Sequence, residues 1–162
     1  MNILIIFTAK YLLFISAAIA IIYFLKQSRQ KQKETLIFAV ILLPLSYIIA
    51  KIVGHFYFDP RPFVAGHFTP LFPHAADNGF PSDHTLLGVA IAFAVFRFNK
   101  KLGLFLLLLA ILVGIARVLA GVHHAADIAG SIVIAAIAYF CMDYFFSRYL
   151  KKYYTKNIQV SG

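Results

Sequence analysis

The chain has 162 residues, 62% of them hydrophobic, with 17 Phe, 9 Tyr and a formal net charge of +9. So much apolar side chain exceeds what a soluble globule of this size can bury, so the composition excludes an ordinary soluble domain and points to a lipid-embedded one. The basic balance alone would suit nucleic acid, but the Lys and Arg gather at the ends of apolar runs, so no nucleic-acid partner is expected.

Along the chain, five apolar runs predict membrane-spanning helices, approximately Ile3 to Leu25, Leu36 to Phe58, Thr85 to Phe96, Leu102 to Leu119 and Ile128 to Phe146. A span needs about 20 apolar residues to cross roughly 30 Å of hydrocarbon, and the third run is short. Continued from Ser82 to Arg97, its helix covers about 24 Å, which suffices where a polar mouth reaches into the bilayer. The first run has no basic region before it, is long for a signal peptide and leads into charges rather than a small-residue cleavage site, so it reads as a span. Cys141, alone of its type and inside the fifth run, rules out an intrachain disulfide and reads as a packing residue. No repeat or linker divides the sequence, so residues 1–162 are expected to form one transmembrane domain within an all-α bundle.

Eleven of the 15 Lys and Arg fall in three clusters: Lys26, Arg29, Lys31 and Lys33; Arg97, Lys100 and Lys101; Arg148, Lys151, Lys152 and Lys156. They follow the first, third and fifth runs. Cytoplasmic loops retain Lys and Arg, which predicts a plasma-membrane (inner-membrane) protein with its N-terminus outside and its C-terminus inside. The clusters also suit a lipid headgroup surface, with Tyr153 and Tyr154 as interface anchors. Oligomeric state is not legible.

The two remaining loops, about Asp59 to Pro81 and Val118 to Asp127, then share the external face and hold His67, His74, His123 and His124. His84 lies just past the first loop, and Arg61, Arg117, Asp59, Asp77 and Asp83 join them. In "RVLAGVHHAAD", Arg117 to Asp127, an Asp at the start of the fifth helix can bond one nitrogen of His123 and leave the other free to attack. Arg61 and Arg117 offer permanently charged planar forks suited to phosphate oxygens, and neither has a sequence neighbour to neutralise it. In "FPSDHT", Phe80 to Thr85, Pro81 and Ser82 read as a helix start, with Ser82 as cap and the first-turn N–H groups facing an anion. His84 is placed to protonate a departing oxygen. Charge stabilisation, nucleophile and acid are what phosphoryl transfer requires. His67, His74 and Asp77 are expected to be solvated loop residues, and His124 to point away from the site.

These residues resemble the type 2 phosphatidic acid phosphatases, membrane lipid phosphatases that share a helical core with vanadium haloperoxidases and whose signatures read Lys-x6-Arg-Pro, Pro-Ser-Gly-His and Ser-Arg-x5-His-x3-Asp. Pro81, Ser82, His84, Arg117, His123 and Asp127 match the second and third, and Arg61-Pro62 the end of the first. "PRPFVAGHFTPLFPHAADNGFPSDHT" is more closely similar to the bacitracin-resistance branch, the undecaprenyl-diphosphate phosphatases. The resemblance implies a metal-free, cofactor-free phosphatase acting on a lipid phosphate or diphosphate through a phosphohistidine at His123, with His84, Arg61, Ser82, the Asp83 N–H and Arg117 around the phosphate. Three departures stand out: Asp83 replaces Gly, Ala116 replaces Ser, and Gly54 occupies the Lys position. The nearest Lys is Lys51, which on a straight helix lies about 15 Å from Arg61 and would need a bend to reach phosphate. Phosphatidic acid and phosphatidylglycerol phosphate are the alternative substrates. A metal transporter and a non-catalytic membrane protein are the alternatives outside phosphatase chemistry; the paired arginines argue against bound metal.

Overall fold

In the computed structural model the backbone is described for residues 2–160 and the side chains for residues 2–149. Lys151, Lys152 and Lys156 of the third basic cluster, and Tyr153 and Tyr154, therefore have side chains outside the described residues. The elements are α1 (Asn2–Leu25), α2 (Arg29–Phe56), α3 (Pro62–Ala65), α4 (Asp83–Phe96), α5 (Lys100–Leu119) and α6 (Ala125–Val160). The chain is an all-helical membrane bundle. Within it, Asn2–Leu25, Arg29–Phe56, Lys100–Leu119 and Ala125–Tyr149 are long and apolar enough to cross a bilayer. The start of α2 lies upstream of the predicted Leu36, because its polar first turns continue the helix beyond its apolar part.

The short third helix is explained by its position. α4 has 14 residues, about 21 Å at 1.5 Å per residue. It packs against α1, α2, α5 and α6, so it lies in the interior of the bundle. Small residues allow this: Gly88, Ala90, Ala92 and Ala94 are buried along it, and a Cβ on Gly88 would come within 3.0 Å of the Ala110 Cβ on α5. The large apolar side chains of the outer helices, such as Phe14, Val40, Leu104 and Phe140, instead face outward. Cys141 is exposed too, so it lies on the outer surface of the bundle and not in its packing as expected.

The end of α2, the starts of α4 and α6 and the end of α5 meet at one end of the bundle, under the 57–82 loop. That loop is held by Asn78, whose Oδ1 accepts the N–H groups of Asp59 (2.9 Å) and Phe80 (3.0 Å) while its Nδ2 donates to the carbonyls of Gly54 (2.8 Å) and Tyr57 (3.0 Å). Farther along, Leu71 N–H donates to Ala120 O at 3.0 Å, and buried Phe72 packs on Ala9, Ala116, Ala120 and Val122. Gly79 sits at a close approach: a Cβ there would stand 3.0 Å from Asp127 Oδ2 and crowd it.

Candidate active site

The centre of the polar end is His123, buried with Asp127. His123 precedes α6 and Asp127 lies in its first turn, an i,i+4 spacing that sets Nδ1 3.0 Å from Asp127 Oδ2. The backbone N–H of His124 donates to the same oxygen at 2.9 Å. On the other side, Nε2 faces Arg61 Nη1 at 3.1 Å. A guanidinium only donates, so Nε2 must accept and the proton of the neutral ring sits on Nδ1, directed at Asp127. The nitrogen with the free lone pair thus points into the arginine-lined space. Burial lowers the His123 pKa from its ordinary value, Asp127 opposes that, and the charges of Arg117 and Arg61 lower it further. The neutral, nucleophilic form is favoured.

Arg61 is buried and multiply held: Nε donates to Asp77 Oδ1 at 2.7 Å, Nη1 to Val122 O at 2.8 Å and Nη2 to Asn78 O at 3.4 Å. Two expectations are corrected here. Arg61 is not without an acid, and Asp77, although exposed, is not a free loop residue but its partner. Burial acts to raise the Asp77 carboxyl, but the hydrogen bond and charge of Arg61 outweigh it and hold the group below its ordinary range. Sequence spacing could not reveal this pair, because the irregular 57–82 loop sets it.

Arg117 differs. Near the end of α5 it is 2% exposed, with Nη1 donating to Ala9 O at 3.3 Å and Nη2 to His74 Nε2 at 3.0 Å, while Nε has no partner. The two acceptors are a carbonyl and an imidazole, neither an anion. His74, expected in solvent, is therefore half-buried against Arg117, its ring centroid 6.1 Å from that of His123. Because His74 Nε2 accepts, Nδ1 carries the proton and faces Ala75 O at 3.3 Å. Burial and the Arg61 charge lower its pKa. His67 is exposed, as expected.

Ser82 occupies the N-cap position of α4, yet its hydroxyl caps no backbone amide; it accepts a bond from Thr85 Oγ1 at 3.2 Å, in full burial. In place of the expected cap, Ser82 forms a side-chain pair with Thr85, one turn on. The start of α4 is instead stitched to α6 by Ser131, whose Oγ lies 3.0 Å from Ser82 O and 2.7 Å from Asp127 O, and Ser82 N–H donates to Asp127 O at 3.4 Å. His84, half-buried, stands within electrostatic reach of Arg117, His123 and His74. Asp83 turns outward, and its Oδ1 lies 3.5 Å from Lys51 Nζ. Lys51 thus meets the residue that replaces Gly and is not among the groups around His123: the two departures from the family pattern pair with each other.

His124 also departs from expectation. Besides its backbone bond to Asp127, its Nδ1 lies 3.0 Å from Asp59 Oδ2, tying the 119–125 turn to the start of the long loop. Asp59, His124 and Asp127 bring one donor atom each within 4.8 Å of one another, a set that could hold a cation. In the present arrangement His124 Nδ1 and Asp127 Oδ2 are taken by hydrogen bonds, whereas Asp127 Oδ1 is buried with no hydrogen-bond partner. The structure therefore unites His84, Arg61, Ser82, Arg117, His123 and Asp127 at one end, leaves Lys51 and the Asp83 carboxylate at the rim, and adds Asp59, His74, Asp77, Asn78, His124 and Ser131.

Residues 34–150 match the PAP2 superfamily. Over 135 residues, 82% of this chain and 68% of the relative, the sequence is 37% identical to the undecaprenyl-diphosphatase BcrC of Bacillus subtilis (strain 168). Over 139 residues, 85% of this chain and 68% of the relative, it is 34% identical to the bacitracin transport permease protein BcrC of Bacillus licheniformis. The fold is similar to the crystal structure of LpxE from Aquifex aeolicus, with a TM-score of 0.71 at 23% identity, covering 88% of this chain and 86% of that one.

Proposed function

The chain belongs to the PAP2 superfamily, and from this we propose that it hydrolyses undecaprenyl diphosphate to undecaprenyl phosphate and inorganic phosphate, as one transmembrane phosphatase domain. The observation that carries the chemistry is the orientation of His123: Asp127 holds the Nδ1 proton and Nε2 presents its lone pair beside two buried guanidinium groups. The terminal phosphate displaces the Arg61 contact to Nε2 and is held by Arg61, by Arg117 through its unpartnered Nε, by Ser82 and by the Asp83 N–H at the head of α4. Nε2 attacks phosphorus in line, and the bond to the bridging oxygen breaks as His84 supplies a proton to the leaving lipid monophosphate. The product is a phosphohistidine, with Asp127 stabilising the imidazolium. Water, losing a proton to His84, then attacks phosphorus and the P–N bond breaks, releasing phosphate and restoring the neutral ring. The arginines supply the charge stabilisation that a metal would otherwise give, so the reaction runs without metal.

The basic clusters support a plasma-membrane orientation with the N-terminus outside and this site facing outward. A cysteine placed between His67 and Asp77 should then react with an impermeant reagent in intact cells; labelling only after permeabilisation reverses the orientation. The activity is tested with purified protein in detergent by comparing undecaprenyl diphosphate, phosphatidic acid and phosphatidylglycerol phosphate in the presence of EDTA, with His123→Ala as blank. Vanadate should inhibit. Strict dependence on added divalent metal rejects the mechanism, and a preference of about 100-fold for a glycerolipid, equivalent to ~2.7 kcal/mol, rejects the substrate while sparing the chemistry.

A further inference from the structure

A narrow cavity of about 160 Å³ lies between α2 and α4, with Asp83 at its head and Ser46, Tyr47, Leu86 and Leu87 among its walls. Leu43, at its foot, also lines a larger cavity of about 440 Å³ between α1, α2 and α4, where Ala39, Ile91 and Ala94 continue the same two helix faces. The two cavities share Leu43 as a wall and follow one another along α2 and α4 as an apolar track. From Asp83 to Val95 it runs about 18 Å at 1.5 Å per residue. Tyr47 and Leu87 are exposed on its flank, so it opens sideways toward lipid.

Beside Asp83, in the adjoining hollow on α2 lined by Tyr47, Ile52 and His55, stands a cation that makes no hydrogen bond to the site around His123. Lys51 is half exposed, its Nζ 3.5 Å from Asp83 Oδ1 and 4.8 Å from the Tyr47 ring centroid. At 3.5 Å the contact with Asp83 is long for an ion pair, and the ammonium has three N–H donors to offer. Asp83 is the first residue of α4 and is exposed, so this cation stands at the rim of the polar end.

We propose that the α2–α4 track seats the single isoprenoid chain of a polyprenyl diphosphate, and that Lys51 at its head binds the phosphate that stays with the lipid. The inference rests on the diphosphatase reading above and adds where the two ends of the substrate lie. A diphosphate presents two phosphates in series. Arg61 and Arg117 surround His123 and take the one that is transferred; the retained phosphate then falls beyond His84, where Lys51 is the available positive group. Asp83 holds Lys51 at the rim until the phosphate replaces it. A glycerophospholipid brings two chains and one phosphate to a place with one track and a second cation, so the same features select against it.

The experiment uses the full chain in detergent with three substrates: undecaprenyl diphosphate, farnesyl diphosphate, which has the same head and a short chain, and dioleoyl phosphatidic acid. Leu87 is exposed, so Leu87→Trp can narrow the track without disturbing the core. It should lower kcat/KM for the long chain about tenfold more than for the short one. Lys51→Gln should raise KM for both diphosphates about tenfold more than for phosphatidic acid, with Lys51→Arg retaining most of the effect of Lys51. Asp83→Asn, which releases Lys51, should lower diphosphate KM. Equal losses on long and short chains in Leu87→Trp overturn the track. Shifts of the same sign in Lys51→Gln and Asp83→Asn make the pair a structural link and overturn the phosphate role. Wild-type turnover of phosphatidic acid without turnover of undecaprenyl diphosphate instead rejects the diphosphatase reading itself, whatever the variants do.

Discussion

Each end of the bundle encloses an arginine packed against aromatic rings, and the two are used differently. At one end Arg97, following α4, sits 5.8 Å from the Phe98 ring and 6.0 Å from the Phe146 ring, with Asp143 of α6 2.6 Å from its Nε and Ser147 accepting from its Nη2 at 3.2 Å. At the other, Arg117 lies 6.0 Å from the Phe72 ring, more deeply buried, with only neutral hydrogen-bond acceptors. The first charge is balanced within the protein and ties helices together. The second has no carboxylate bonded to it, Asp83 acting only through its charge, and a buried cation without a bonded counter-ion is unfavourable unless a ligand supplies the anion. Burial and aromatic packing alone therefore do not mark a functional arginine; the missing carboxylate does.

The largest expected effect removes His123, the proposed nucleophile beside Arg117. His123→Ala should lower turnover by at least about 10³-fold without loss of helical content, since no phosphoenzyme can form. Trapping of ³²P from labelled substrate should disappear with it; retained turnover would reject His123 as the attacking group. Next come the two arginines themselves. Arg117→Met should lower kcat/KM by roughly 10²- to 10³-fold while leaving the melting temperature equal or higher, because it removes a buried charge that no carboxylate bonds. Arg97→Met should do the reverse, keeping kcat/KM within about threefold and lowering stability by about 1 kcal/mol, the usual scale for a partly exposed ion pair. Similar behaviour in the two variants would dissolve the distinction between the two ends.

The pH profile tests the same polar environment. Burial and the two arginine charges hold the His123 pKa below its ordinary value, so the ring loses its proton earlier as pH rises and the nucleophilic form persists into mild acid. The acid limb of activity should therefore have its midpoint below about 6.5, the value for an unperturbed imidazole. A midpoint above that value would mean that Asp127 dominates over burial.

The sequence makes the helices and the dyad legible for a physical reason: both are local. Apolar runs mark membrane crossings, with α4 correctly short, and an i,i+4 step on the first turn of α6 brings Asp127 to His123. What it does not reveal is what the 57–82 loop does. Asp77 reaches Arg61 across 16 positions and His74 reaches Arg117 across 43, through irregular backbone with no period to read. Asn78 carries the signal that could have been used: an Asn before Gly in a Pro-rich stretch marks a turn whose side chain bonds backbone. Lys51 and Asp83 each look anomalous alone, and only the packing of α2 on α4 shows that they meet.

The smallest expected effect concerns the difference between the two arginines of the site. Arg61 has a bonded acid and Arg117 has none bonded, but that acid, Asp77, is 61% exposed by side chain and bonds only the Nε edge of Arg61 at 2.7 Å. An exposed carboxylate there competes with the incoming phosphate for the same guanidinium without fixing its position, which Val122 O and Asn78 O also hold. Asp77→Asn should therefore lower substrate KM two- to fivefold, about 0.5–1 kcal/mol, with kcat changed less than KM. Being an effect of an exposed charge, it should shrink as salt rises toward 1 M, where the Debye length falls to about 3 Å. A KM that instead rises, or a difference indifferent to salt, would make Asp77 a structural support of Arg61, and Arg61 would then be balanced within the protein as Arg97 is.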